Sequence, residues 1–208
     1  MVNRRSVFTA ALGIGLISTS CVMAAEPAIT TYGERNERAP TQLDLFSFLV
    51  GKWKSTGEAK LPNGSAARLE VTWIGRYVLN GMAIADEFHS PTPDGKPYLG
   101  ISLRSFDIQQ DCWIIEYLNV SNSFIRRQVN PKSGSVRRDG NSVIVISEDG
   151  QTRIRERYRV TDQNHFTYST DISRDGGRNW DAISLEVSME RVDSQAQVLA
   201  HPGIGHPD

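Results

Sequence analysis

Leu43-Asp44-Leu45-Phe46-Ser47-Phe48-Leu49-Val50-Gly51-Lys52-Trp53-Lys54-Ser55-Thr56-Gly57-Glu58-Ala59-Lys60 changes its hydrophobic rhythm at Gly51. Before the glycine, apolar residues crowd into a short stretch that suits one or two helical turns. After it the side chains alternate. Trp53, Ser55, Gly57 and Ala59 share one face of a strand, and Lys52, Lys54, Thr56 and Glu58 share the other. That parity turns Trp53 toward an interior and the lysines toward water.

The same alternation recurs along the chain. The runs are Lys52–Lys60, Ala66–Ile74, Gly81–His89, Tyr98–Phe106, Trp113–Val120, Ser123–Val129, Ser142–Ser147, Thr152–Val160, His165–Ile172 and Trp180–Val192. Turn signals separate them, among them Pro62-Asn63-Gly64, Pro91-Thr92-Pro93-Asp94-Gly95, Pro131-Lys132-Ser133-Gly134, Asp139-Gly140-Asn141 and Glu148-Asp149-Gly150. Asp-Gly and Asn-Gly steps close tight hairpins because glycine accepts positive φ without steric cost. The expected fold class is therefore all-β: an antiparallel up-and-down barrel of roughly 8–10 strands behind a short N-terminal helical turn. Closure also removes exposed strand edges.

In the last run, Ile183, Leu185, Val187 and Met189 form the inward face, and Arg191 continues their phase. An inward arginine at the barrel end can lie across an indole while its N–H groups bond loop carbonyls. A helical lead-in, G-x-W and a late inward arginine together resemble the lipocalin and wider calycin pattern. Phe48–Trp53, Asn80–Phe88, Tyr98–Asp107 and Ser173–Trp180 resemble, in addition, an uncharacterised bacterial family of often exported domains with a lipocalin-like barrel. The likeness spans Phe46 to Val192. It implies the fold and carries no reaction with it. Ser173-Arg174-Asp175-Gly176-Gly177-Arg178-Asn179-Trp180 is also similar to a single Asp-box, a device in which a carboxylate caps loop N–H groups and the tryptophan anchors the next strand. One copy makes no propeller, whose blades repeat, so it reads as the hairpin between the last two strands.

The chain has 208 residues, 23 Lys+Arg against 24 Asp+Glu, and a formal net charge of −1. No basic surplus is present to draw it to nucleic acid. A mean hydropathy of −0.36 excludes a polytopic membrane protein. Residues 1–25 carry no acidic residue. Arg4 and Arg5 precede an apolar run from Val7 to Ile17, which ends in Val22-Met23-Ala24-Ala25. This is the three-part layout of a secretory signal peptide, and the run is too short to span a membrane. The expected address is periplasmic or secreted, with no integral membrane segment once cleavage after Ala24 or Ala25 has occurred. Asn3-Arg4-Arg5-Ser6-Val7-Phe8 resembles a twin-arginine signal. General secretory signals also carry paired arginines, so the export route stays open. At Cys21, Ser18 occupies the position where a lipoprotein signal carries leucine, which argues against acylation. Residues 26–42 read as an extended leader, 43–193 as the barrel and 194–208 as a tail.

With Cys21 removed, Cys112 has no partner for a disulfide and reads as a small buried hydrophobe. No CxxC or HExxH spacing occurs, so neither a metal nor another cofactor is expected. Candidate ligand-binding residues are Trp53, Trp73, Glu87, Arg104, Glu116 and Tyr117. Asp86 and Glu87 point to opposite faces of one strand. Glu87 shares its face with Ala83 and Ala85, and small neighbours leave room for a ligand, so Glu87 is the preferred lumen carboxylate. Glu116 and Tyr117 pose the same choice of face. Arg104, in phase with Tyr98, Ser102 and Phe106, suits a polar anchor in an apolar pocket. Arg153, Arg155, Arg157 and Arg159 share one face, read as a solvated stripe or, alternatively, as a clamp for an anion at the barrel mouth.

Two functions follow from different classes. One is a binding protein whose lumen holds a small, mainly hydrophobic molecule. The other is a lyase, isomerase or hydrolase acting on a hydrophobic or aromatic substrate, with Glu87 or Glu116 as acid or base. A solid barrel acting as an assembly module is a third, since about eight strands can be filled by side chains alone. Oligomeric state is not legible.

Overall fold

A computed structural model describes residues 32–61, 63–91, 97–119, 121, 124–127, 135–181 and 185–192. The expected signal peptide and C-terminal tail, Ile183 and the expected turns at 92–95 and 131–134 lie outside the described residues.

A 3-10 helix, Thr41–Leu49, opens the barrel. Leu43, Phe46 and Leu49, three residues apart, are fully buried. That spacing suits three residues per turn, in which i and i+3 eclipse, better than the α-helical period. Twelve strands follow: β1 (Gly51–Lys60), β2 (Ala66–Ala67), β3 (Thr72–Val78), β4 (Ala83–Pro91), β5 (Pro97–Asp107), β6 (Cys112–Asn119), β7 (Phe124–Arg127), β8 (Val136–Asp139), β9 (Ser142–Asp149), β10 (Thr152–Asp162), β11 (His165–Ser173) and β12 (Leu185–Arg191). All are antiparallel, in the order β7-β6-β5-β4-β3-β1-β12-β11-β10-β9-β8, with β2 beside β1. Pairing of β1 with β12 joins the two halves. The result is the expected all-β architecture, a nearly closed barrel whose terminal strands are β7 and β8.

Two short pieces, β2 and β8, add to the ten runs read from the sequence. The run Ala66–Ile74 is broken into β2 and β3 by Ser55. Its hydroxyl donates to the Leu69 carbonyl and accepts from the Val71 N–H at 2.9 Å, standing in for a backbone partner. Val136–Asp139, assigned to no strand from sequence, pairs with β9. Part of the expected leader also belongs to the folded body. Asn36 N–H donates to Gly81 O at 3.2 Å, and Ala39 is buried.

The G-x-W reading holds. Trp53 is 1% exposed and its Nε1–H donates to Leu49 O at 3.2 Å. The Arg191 guanidinium lies 4.0 Å from the Trp53 ring centroid and donates to the carbonyls of Val50 (2.7 Å), Phe48 (3.2 Å) and Gln163 (3.0 Å). Gly51 has φ +125°, and a β-carbon there would strike the Arg191 guanidinium. Helix, first strand and last strand are thus tied at one end of the barrel.

Ser173–Trp180 joins β11 to β12 as the expected turn device. Asp175 accepts the N–H groups of Arg178 (3.0 Å) and Asn179 (2.9 Å), and the Ser173 hydroxyl at 2.8 Å. Trp180 lies under Arg155, 4.2 Å from the guanidinium carbon to the ring centroid. Cys112 is a free, buried thiol, as expected.

Candidate functional site

Register fixes which side chains look inward. Trp73 sits opposite Phe88, Gly75 opposite Asp86, and Tyr77 opposite Ile84. Asp86 therefore enters the barrel with Ile84 and Phe88, and Glu87 does not. The same parity carries inward Tyr98, Gly100, Ser102 and Arg104 on β5 and Ile115 and Tyr117 on β6, while Glu116 faces out opposite Leu103. On β10 and β11 the inward residues are Glu156, Tyr158, Phe166 and Tyr168.

Several inward side chains differ in burial between the two ends, although Asn119 stays buried beyond Tyr117 on β6 and Phe106 is only half-buried at the helix end of β5. Near the 3-10 helix, Ile84, Arg104, Ile115, Tyr158 and Phe166 are at most 1% exposed. At the opposite end Phe88, Tyr98, Tyr117, Glu156 and Tyr168, in the same inward phase, are only half-buried. The helix plugs one end, and the other is a cup lined with aromatic rings.

The floor of the cup is polar at its centre. Asp86 and Arg104 form an ion pair with both side chains 1% exposed. Trp73 Nε1–H donates to Asp86 Oδ1 at 2.8 Å, and Arg104 Nη2 donates to the Tyr158 hydroxyl at 3.1 Å. The guanidinium also lies 5.0 Å from the centroid of the Phe46 ring. A buried pair survives desolvation only when its remaining donors and acceptors are met in this way. Arg104 Nε has no hydrogen-bond partner among the described residues.

The walls are a run of packed rings, edge-to-face except for the tilted Tyr168–Tyr158 pair. Centroid separations are 5.8 Å for Tyr98–Phe88, 5.2 Å for Phe88–Trp73, 5.1 Å for Trp73–Tyr168 and 5.1 Å for Tyr168–Tyr158. The Tyr98 and Tyr117 hydroxyls bond each other, and the Tyr168 hydroxyl donates to Glu156 Oε1 at 2.9 Å. A β-carbon at position 100 would collide with the Tyr117 hydroxyl, so Gly100 is what lets that phenol lie against β5. Burial, reinforced by the Glu156 charge, raises the Tyr158 and Tyr168 hydroxyls well above the ordinary tyrosine value. Burial, then the Tyr98 hydrogen bond, does the same for Tyr117. All three stay neutral hydrogen-bonding groups across the physiological range.

Of the residues singled out from sequence, Trp73, Arg104 and Tyr117 meet in or under the cup, and Trp53 lies inside at the plugged end. Glu87 and Glu116 are corrections, since both face outward. Glu87 pairs with Arg76 (2.9 Å) and His89 (3.4 Å) on the outer surface. Small neighbours misled the reading: Ala85 is only 5% exposed although it faces out, because Arg76 and Leu103 flank it across the ladders. The arginine stripe of β10 also faces out, with Arg155 bonded to Asp171 through Nε at 2.8 Å and Arg153 to Glu148 at 3.1 Å. Outward arginines imply an inward Glu156 on the same strand, a signal in the sequence that was not followed. Asp86, Tyr158 and Tyr168 were missed as well. A separate open hollow of about 360 Å³ lies beside the helix, lined by Thr41, Gln42, Asp44, Leu45, Trp113 and Arg138.

The molecule is a nearly closed antiparallel barrel with one plugged end and an aromatic cup at the other. Residues 41–188 match the family described as "Protein of unknown function (DUF1579)", and the chain belongs to that family. No curated protein matches the sequence. Among solved structures, Rv2717c from M. tuberculosis is similar at 14% identity, over 74% of this chain and 99% of that one, with a TM-score of 0.48. An S-type phycobiliprotein lyase, CPES, from Guillardia theta is similar at 10% identity over 75% and 95%, TM-score 0.43. A β-barrel described as EF1p2_mFAP2b bound to DFHBI is similar at 12% identity over 71% and 97%, TM-score 0.38.

Proposed function

We propose that this protein holds a small, mainly hydrophobic molecule in the cup at the open end of its barrel, and does so outside the cytoplasm after residues 1–25 are removed. The observation that carries the binding reading is the difference in burial between the two ends. Ile84, Arg104, Ile115, Tyr158 and Phe166 are sealed toward the helix, and Phe88, Tyr98, Tyr117, Glu156 and Tyr168 are half-buried at the far end, where apolar rings surround neutral phenols and a carboxylate. Such a lining, mostly aromatic with a few converging polar groups, is what a small-molecule site requires. The address rests on the charge and hydropathy layout of the first 25 residues. No helix among the described residues is long and apolar enough to cross a membrane.

Native mass spectrometry of the protein purified from its own cells tests both parts. The expected result is a chain beginning at Ala25 or Glu26 that carries an extra mass lost on denaturing extraction. A bare mass, together with no thermal shift across a panel of hydrophobic compounds, would show a filled barrel and overturn the binding reading. Retention of Met1–Ala24 on the exported or cellular protein would overturn the address.

A further inference from the structure

Trp113 and Arg138 stand near opposite ends of the sheet order and meet beside the helix. β7 accompanies β6 only over residues 116–119, so Trp113 lies on a part of β6 with no described strand on its outer side. Arg138, on β8, sits opposite the sealed Val143 and is therefore in the inward phase. Between the two, the first residues of the helix frame the open hollow of about 360 Å³. That volume falls at the small end of the range for small-molecule sites, about 300–1,000 Å³.

The hollow offers an apolar wall and hydrogen-bond donors. Leu45 packs on the core, and Trp113 is held edge-to-face against Phe46 at 4.9 Å and Phe106 at 5.5 Å. Trp113 is only 8% exposed, yet its indole N–H makes no hydrogen bond among the described residues and is not sealed off. The Arg138 guanidinium has neither an ion pair nor a hydrogen bond among the described residues. Asp44, the carboxylate of the lining, is engaged by Arg35 at 3.2 Å. Residues 120, 122–123 and 128–134, which flank β7 and β8 outside the described residues, contribute Lys132 and no carboxylate. A guanidinium fork matches a carboxylate in geometry as well as charge. An amine would meet Arg138 as a like charge, and a neutral molecule would leave it unpaired. From this arrangement we infer a second ligand site, separate from the cup. The hollow takes a small carboxylate with an apolar body, its oxygens on Arg138 and its body against Trp113 and Leu45. The inference does not depend on what the cup holds.

The test is titration of the isotope-labelled full chain with naphthoate, naphthalenemethanol and naphthylmethylamine, followed by NMR at the indole N–H resonances of its four tryptophans. Trp113→Phe identifies the Trp113 signal. Naphthoate is expected to move that signal and to bind at least about tenfold more tightly than the alcohol, with the amine weakest. Arg138→Gln changes an exposed side chain, and is expected to cost naphthoate about tenfold while leaving the alcohol within about twofold. Gln42→Glu, which adds a carboxylate to the rim, is expected to weaken naphthoate in the same sense. Equal affinities for naphthoate and the alcohol, or a preference that survives both substitutions, would overturn the inference. A shift at Trp73 without one at Trp113 would put the probe in the cup and overturn it too, as would a Trp113 signal that answers none of the probes.

Discussion

Asp86 and Glu87 are neighbours in sequence and both are carboxylates paired with arginine, yet they contribute differently to stability. Glu87 and Arg76 meet at 2.9 Å with roughly a third of each side chain in water. Screening and side-chain entropy leave such a pair worth about 0–1 kcal/mol. Asp86 and Arg104 are sealed, and removing one partner strands the other without water. Asp86→Asn is therefore expected to destabilise the fold by about 3–5 kcal/mol, and Glu87→Gln by less than about 1 kcal/mol. Chemical denaturation of both variants measures the contrast. The double replacement Asp86→Leu with Arg104→Met is expected to cost less than Asp86→Asn alone, because it removes both charges. A cost equal to the sum of the single changes would show that the pair is not energetically coupled.

At the scale of elements, side chains substitute for backbone where the barrel bends or closes. Ser55 takes a ladder position and splits one strand into two. Arg191 collects the carbonyls left over at the plugged end. Asp175 accepts the N–H groups left over in the β11–β12 turn, and the hydrogen bonds from Asn179, Ser173 and Arg178 hold its carboxyl down to about 2. A depressed carboxylate contributes its turn-ordering fully above the ordinary value of 3.8, and the contribution is lost as pH falls through about 2. The expected outcome is an Asp175 carboxyl that titrates by NMR near pH 2. The Arg178 and Asn179 amide resonances should stay unchanged from neutral pH to well below the usual carboxylate range. A midpoint near 3.8 would show that the turn does not hold the carboxylate.

At the scale of the molecule, the barrel is held shut unequally. β1 lies between β3 and β12 with the helix and Arg191 locked over its start. Among the described residues β7 and β8 are the two ends of the sheet, each paired on one side only. Local opening begins where few backbone bonds must break together. Amide exchange is expected to be slowest in β1, β3 and β12 and fastest in β7 and β8. Equal protection throughout would mean that the two end strands pair with each other in solution.

Much of this was legible in the chain alone. Alternation, turn residues, the switch of rhythm at Gly51 and the phase of Arg191 are local properties, and parity within one strand needs no knowledge of its neighbours. They determined an all-β barrel with Trp53 and Arg191 inside at one end. Which face of a middle strand looks inward is not local, because it depends on register against strands far away in sequence. Only the fold placed Asp86 rather than Glu87 beside Arg104, and only the fold brought Glu156 of β10 to the phenols of β5, β6 and β11. Size was a poor guide to the inner face, since small residues can be buried on the outside beneath long neighbours. The composition of the cup is therefore a product of strand pairing, while the barrel that holds it follows from the two-residue period of the strands.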